Sequence, residues 1–308
     1  MAASRSAVTS AEHIRLRLNE KVATALSDTI AACTRHIQAN IAGAKRGQDP
    51  EYLHQVRVGV RRLRAALSVY RDVISVGKRR SVGRALRRFE HSLGPARDWD
   101  VLVGKFDRAK HITAGQRHDL SELIKLAKVR RSEVHDRLGK ALNATEFAKL
   151  LRAAKYVGVG SGSETILRMP IQNFAVQALE TRDRQARRLG HHIRSLDDTD
   201  LHRLRICIKK LRYASEFFEG LWPQAETEQY VELLQQIQDE LGKMQDAVSA
   251  ERLITDIRKE HQDGLGHAAR LTQKRIKTSR QRARRRINRR WRSFKAAPRF
   301  WQLPCSSR

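Results

Sequence analysis

His54, Arg57, Arg61, Arg62 and Arg64 stand close together in the chain, and the same types return as His202, Arg205, Lys209, Lys210 and Arg212 at a constant offset of 148 residues. Guanidinium groups bind phosphate oxygens in pairs, lysine adds a mobile point charge, and histidine donates from either ring nitrogen. Residues of these types are suited to holding an anion. At about 100° per residue, His54, Arg57, Arg61 and Arg64 share one helical face, beside an apolar stripe of Val56, Val60, Leu63, Leu67 and Tyr70. The second copy repeats the pattern, with His202, Arg205, Lys209 and Arg212 beside Leu204, Ile208, Leu211 and Phe218. Like charges three or four residues apart destabilise a helix, and a bound anion would relieve that repulsion. A single basic face of this kind reads as a solvated surface. Its recurrence beside a core stripe reads instead as one lining of a two-sided groove.

The repeat extends beyond the basic helix. Leu93-Gly94-Pro-Ala-Arg97-Asp98 returns as Leu241-Gly242-Lys-Met-Gln245-Asp246, and Asp49 maps onto Asp197. Asp98 and Asp246 each follow a glycine break, which suggests that they cap the next helix or pair with an arginine of the basic face, and not that they catalyse.

The elements that must position these residues read as helices. Apolar positions recur at helical spacing along nearly the whole chain, so the fold class is all-α. The pattern predicts helices over 10–47, from Asp49-Pro50 to about 76, and from about 80 to a stop at Gly94-Pro95. Further helices are expected near 97–110, 116–141, 144–155, 223–242, 244–262 and 267–296. Val157-Gly-Val-Gly-Ser-Gly-Ser163 is the best linker in the chain. The expected organisation is one domain over 10–300, with a first helical bundle at 10–156, a linker at 157–165, a second bundle at 166–296 and a tail at 297–308.

Composition narrows the partners. The 308 residues carry 62 Lys and Arg against 33 Asp and Glu, a net charge of +29 that attracts polyanions in general. After Asp263 there is no acid and there are 15 cations, among them Arg280, Arg282, Arg284, Arg285, Arg286, Arg289, Arg290 and Arg292. Ile276, Ile287, Trp291 and Phe294 still give that segment an apolar stripe, which predicts a docked helix. Cys33, Cys207 and Cys305 lack metal-ligand spacing and read as free thiols. No apolar run approaches a membrane span, and Met1-Ala-Ala-Ser-Arg opens no signal peptide. A soluble, cytoplasmic protein is expected.

The doubled His-x-x-Arg-x-x-x-Arg/Lys-Arg/Lys-Leu-Arg motif, each copy followed by Leu-Gly-x-x-Arg/Gln-Asp, resembles the CHAD family, the conserved-histidine α-helical domain. The likeness runs from about residue 10 to Phe300-Trp301. It implies two four-helix bundles related by a pseudo-two-fold axis, with a basic channel between them that binds inorganic polyphosphate, and an association with polyphosphate granules. By position, His54, Arg57, Arg61, Arg62 and Arg64 would form one wall and His202, Arg205, Lys209, Lys210 and Arg212 the other. Gln245 stands where Arg97 would predict an arginine, so that contact is not symmetric. No Glu-x-Glu-x-Lys strand precedes the domain, so the resemblance does not extend to a fused triphosphatase.

Three functions compete at this level. The first is non-enzymatic polyphosphate binding, without a cofactor. The second is non-specific nucleic-acid binding through the Arg-rich segment at 280–292. Base reading is disfavoured because no aromatic interrupts the basic faces. The third is a metal-dependent phosphohydrolase built on His118-Asp119 or His191-His192, but neither pair recurs at the offset or has ligand spacing.

Overall fold

The computed structural model describes residues 7–107, 114–142, 145–156, 164–261 and 265–305. Among them no strand occurs. The order is α1 (Val22–Arg46), α2 (Pro50–Val69), α3 (Val76–Ser92), α4 (Gly94–Asp107), α5 (Ala114–Leu142), α6 (Thr145–Lys155), α7 (Glu164–Arg168), α8 (Ile171–Leu189), α9 (Asp198–Phe218), α10 (Gln224–Glu260) and α11 (Gly266–Ala296). The 148-residue offset survives in the helix starts: α2 begins at Pro50 and α9 at Asp198, α3 at Val76 and α10 at Gln224.

Local chemistry sets these boundaries. Asp49 caps α2 by accepting from the Glu51 amide at 2.8 Å, and Pro50, which has no amide hydrogen to satisfy, follows it. Asp197 does the same for α9 through the Asp200 amide at 2.7 Å. Gly47, at φ +67, ends α1 in the left-handed conformation that a side chain resists.

Several expected boundaries move. Residues 10–21 are not helical. The alternation Ile14-Arg15-Leu16 has a period of two, and both apolar side chains are buried by an extended segment. Backbone bonds anchor that segment to the start of α8, from the Ile171 amide to the Glu20 carbonyl at 2.8 Å and from the Val22 amide to the Met169 carbonyl at 3.2 Å. The second helix ends at Val69, where buried Tyr70 turns inward to Thr29 at 3.2 Å and stacks on Phe174. The break expected at Gly242 is absent, and α10 runs through it for 37 residues. In the first copy proline follows the glycine; in the second Lys243 follows, which clashes with nothing and supplies the amide that helix continuation needs.

Nor do the cores divide where the halves of the chain divide. One core joins α1, α2, α3, α8, α9, the first part of α10 and the end of α11. The other joins Trp99 and Leu102 of α4, Leu120 and Leu123 of α5, Ile254 of α10 and Ile276 of α11. Each core therefore takes helices from both halves, because α10 and α11 are long enough to cross from one to the other. The expected linker falls mostly on 157–163, outside the described residues; its last two positions open α7. The expected tail is packed: Phe300 and Trp301 are buried against Trp222 and Tyr230. The docked C-terminal helix is present as α11, with Ile276, Ala283, Ile287, Trp291 and Phe294 buried.

Candidate anion-binding cleft

α2 and α9 pack against each other, near enough for the charges of their basic faces to act on one another. Arg61 of α2 acts on both Arg205 and Lys209 of α9, and Lys209 acts on Glu90 of α3. The two faces that share an angle on their helical wheels are thus brought together.

Arg57 and Arg205 are both largely buried. They occupy equivalent places, each against the glycine of the Leu-Gly motif: a Cβ added at Gly94 would sit 3.9 Å from Arg57 Nη1, and one at Gly242 would sit 3.8 Å from Arg205 Nη2. Each guanidinium thus lies at ordinary contact distance from the equivalent glycine position. Arg57 Nε and Nη1 and Arg205 Nε are buried without a hydrogen-bond partner. Burial, then the charge of Arg61, pulls the pKa of Arg57 down to about 10. The same two causes lower Arg205. Lys209 falls furthest in consequence, to about 7, through burial and then the charges of Arg205 and Arg61. Burial and Arg97 hold His54 down at about 4, so it is neutral near pH 7. These groups have been taken out of water and set against like charge, which disfavours their charged forms.

Glu90 offsets part of this on one side. It accepts from Arg61 Nε at 3.2 Å and pairs closely with Arg64. Burial would raise its pKa, but Arg64 and Arg61 together outweigh burial and hold it below the usual carboxylate range. On the other side the equivalent residue is Gln238, which accepts from Arg212 Nε at 3.0 Å but carries no charge. Arg212 takes its counter-charge from Glu216 on its own helix and lies over the Tyr213 ring at 4.5 Å. His202 is exposed and meets Gln245 at 3.0 Å, the residue that replaces arginine in the second motif. Asp98 lies inside α4 and Asp246 inside α10, so neither is a cap. Asp98 pairs with Arg252 at 3.3 Å; burial raises its pKa, against the pull of Arg57 and Arg252. Asp246 acts on Arg205.

Two residues of the expected set lie off the shared basic face. Arg62 is buried, donating to Glu216 at 3.0 Å and to the Glu12 carbonyl at 3.3 Å, with its guanidinium 5.4 Å from the Phe217 ring. Lys210 lies beside Cys207, together with Arg188 of α8. Both sit at the same wheel angle, about 80° past the leading histidine, but Arg62 still reaches Glu216, the carboxylate that also pairs with Arg212. Arg97, noted from the repeat, acts on His54 and Arg57, while Glu90 and Gln238 beside Arg64 and Arg212 are not singled out by the sequence reading. Reading the 148-residue offset through Glu90 and Gln238 would have found that pair.

His191 and His192 meet each other at 3.1 Å in the turn after α8. The side chains of His118 and Asp119 lie outside the described residues. Among the described residues no group of three or more His, Cys, Asp or Glu is placed to hold a metal ion, and no helix is long and apolar enough to cross a membrane. Cys33, Cys207 and Cys305 are free thiols.

The CHAD domain family model matches residues 28–255. Among solved structures, the CHAD domain from the plant Ricinus communis is similar at 26% identity and a TM-score of 0.81, over 95% of this chain and 99% of that one. PptA from Streptomyces chartreusis shares the fold at 14% identity and a TM-score of 0.68, over 89% of this chain and 100% of that one. No curated protein matches the sequence.

Proposed function

The chain belongs to the CHAD domain family, and on that premise we propose that the cleft between α2 and α9 binds inorganic polyphosphate without turning it over, in a protein that associates with polyphosphate granules. The observation that carries this reading is the pair of equivalent arginines, Arg57 and Arg205, whose buried nitrogens have no partner. An unsatisfied buried donor costs about 1–3 kcal/mol, more when charged, and a phosphate oxygen of the ligand would satisfy it. A polymer fits better than a single phosphate. Arg57, Arg61 and Arg64 span seven residues of α2, about 10 Å at the helical rise, and Arg205, Lys209 and Arg212 run the same length on α9. The two walls, related by a pseudo-two-fold axis, would act as one site lined by His54, Arg57, Arg61, Arg64, His202, Arg205, Lys209 and Arg212.

The test is equilibrium binding of polyphosphate to R57Q/R205Q. Affinity should fall by roughly a hundredfold or more, since each lost charged hydrogen bond is worth about 1.5–3 kcal/mol. The empty variant should unfold at no lower temperature, because it loses two buried charges that repel their neighbours. Wild-type affinity in this variant would end the cleft reading. In the same samples polyphosphate should keep its chain length when divalent metal is added.

A second reading rests on a different observation. Arg282, Arg285 and Arg289 of α11 are exposed and make no ion pair among the described residues, an outer surface suited to a wide polyanion such as duplex nucleic acid.

A further inference from the structure

α3 and the first half of α10 are equivalents in the repeat. Val76 and Gln224 open them at the 148-residue offset, and Glu90 and Gln238 hold Arg64 and Arg212 at corresponding places on the cleft rim. Their charges are opposite. α3 carries six cations, Lys78, Arg79, Arg80, Arg84, Arg87 and Arg88, against the single acid Glu90. Residues 224–240 of α10 carry five acids, Glu226, Glu228, Glu232, Asp239 and Glu240, and no cation.

The α3 cations are not scattered. Counted from Glu90 at about 100° per residue, Arg87, Arg80 and Arg84 follow at about 60°, 80° and 120°. They form a ridge that starts beside the carboxylate bounding the cleft. Val82, Leu86 and Leu93 occupy the opposite, buried side of the helix. All three ridge arginines are exposed, and none makes an ion pair among the described residues. Gly83 lies between Glu90 and Arg87 on the wheel, and a Cβ added there would meet nothing within 4 Å, so the surface beside the ridge is open. The corresponding positions on α10 are Gln235, Glu228 and Glu232. Glu228 and Glu232 are exposed and take glutamine amides, from Gln224 at 2.6 Å and Gln236 at 2.8 Å, instead of cations.

We propose that a polyphosphate longer than the cleft leaves it on one side only, across the Arg80–Arg84–Arg87 ridge of α3, and is turned away from the matching acidic face of α10. This rests on the cleft being the polyphosphate site. It adds an outer subsite that takes the overhanging part of the polymer, and it gives the protein a polarity that the two like walls of the cleft lack. Length selectivity follows, because a short chain is held by the walls alone and a long one gains the ridge.

The test compares tripolyphosphate with long-chain polyphosphate on the full chain across a salt series. R80Q/R84Q/R87Q should lose roughly tenfold or more in long-chain affinity, with the slope of log affinity against log salt falling by about 2, as for three lost phosphate contacts. Its tripolyphosphate affinity should stay within about twofold, because the ridge lies beyond the reach of so short a chain. R282Q/R285Q/R289Q removes the same charge from α11 and should leave both affinities within about twofold, since charges more than a Debye length from the ligand are screened. E228Q/E232Q should bind the long chain as well as the wild type or better. Equal losses in the α3 and α11 variants would overturn the ridge, because total charge alone would then explain them. So would a tripolyphosphate loss as large as the long-chain loss. A matching long-chain loss in E228Q/E232Q would show that α3 meets α10 of a second copy and not the ligand. Failure of the cleft itself reads differently: R57Q/R205Q would then bind tripolyphosphate like the wild type.

Discussion

At a pKa of about 7, set by burial and then by the charges of Arg205 and Arg61, Lys209 is half protonated near neutral pH, with Glu90 favouring its charge. A phosphate bound beside it favours the charged form, so binding raises its pKa and takes up a proton. The sign follows. Below about pH 7 Lys209 is already charged and affinity is at its highest; as pH rises above 7 the proton must be supplied on binding, and affinity falls. His54, held at about 4 by burial and Arg97, stays neutral throughout that range and adds no slope. Polyphosphate affinity should therefore drop between about pH 6 and 9, and K209R should flatten the profile because arginine stays charged there. A wild-type profile that is flat over this range would show that Lys209 does not meet the ligand. The eight residues proposed to line the cleft were legible as a set because helical periodicity alone puts each four on one face. Arg62 and Lys210 entered the set by motif position alone, and their wheel angle turns them to Glu216 and to α8. Glu90 stayed hidden because its pairing with Arg61 and Arg64 joins two helices, and no spacing within one helix encodes it.

Between elements, glycine marks the closest approach. A Cβ added at Gly59 of α2 would come within 2.5 Å of Ile37 on α1, a contact that real Cβ atoms essentially never make. Ile37 is fully buried, so it cannot swing aside into solvent. G59A should destabilise the fold by about 1–3 kcal/mol, the usual cost of forcing extra volume into a packed core. G83A, on the open side of α3, should stabilise it by about 0.5–1 kcal/mol, because alanine loses less backbone freedom in a helix. Urea midpoints measure both, and a G59A variant as stable as the wild type would contradict the tight packing of α1 on α2. The sequence showed most helices but misjudged where they stop. A lone Gly242 read as a break because Gly94-Pro95 is one, yet it is the proline that stops a helix, and α10 continues through Lys243. The apolar pattern predicts helix over 10–21, yet Ile14 and Leu16 alternate, and an extended segment pinned to α8 buries them both.

At the scale of the whole molecule α11 has two uses, and the sequence shows its Arg-rich face and its apolar docking stripe but not what that stripe packs against. Its Arg-rich composition was visible. That its other face would help close both cores was not, because the partners of Ile276 and of Trp291 are distant in sequence. Deleting 280–308 would strip Ile287, Trp291, Phe294, Phe300 and Trp301 from the first core, so truncation tests stability and not binding. Charge substitution separates the two polyanions instead. Duplex DNA is a rod too wide for a cleft between two packed helices, whose own spacing is about 8–10 Å, so its contacts would fall on outer arginines such as Arg282, Arg285 and Arg289. R282Q/R285Q/R289Q should lose roughly tenfold or more in duplex affinity and lower the salt slope by about 3, the value for three contacts to B-form DNA. R57Q/R205Q should leave duplex binding unchanged while losing polyphosphate. Duplex DNA that competes with tripolyphosphate and is lost with the two cleft arginines would mean that both polymers use one site, and α11 would then serve the fold alone.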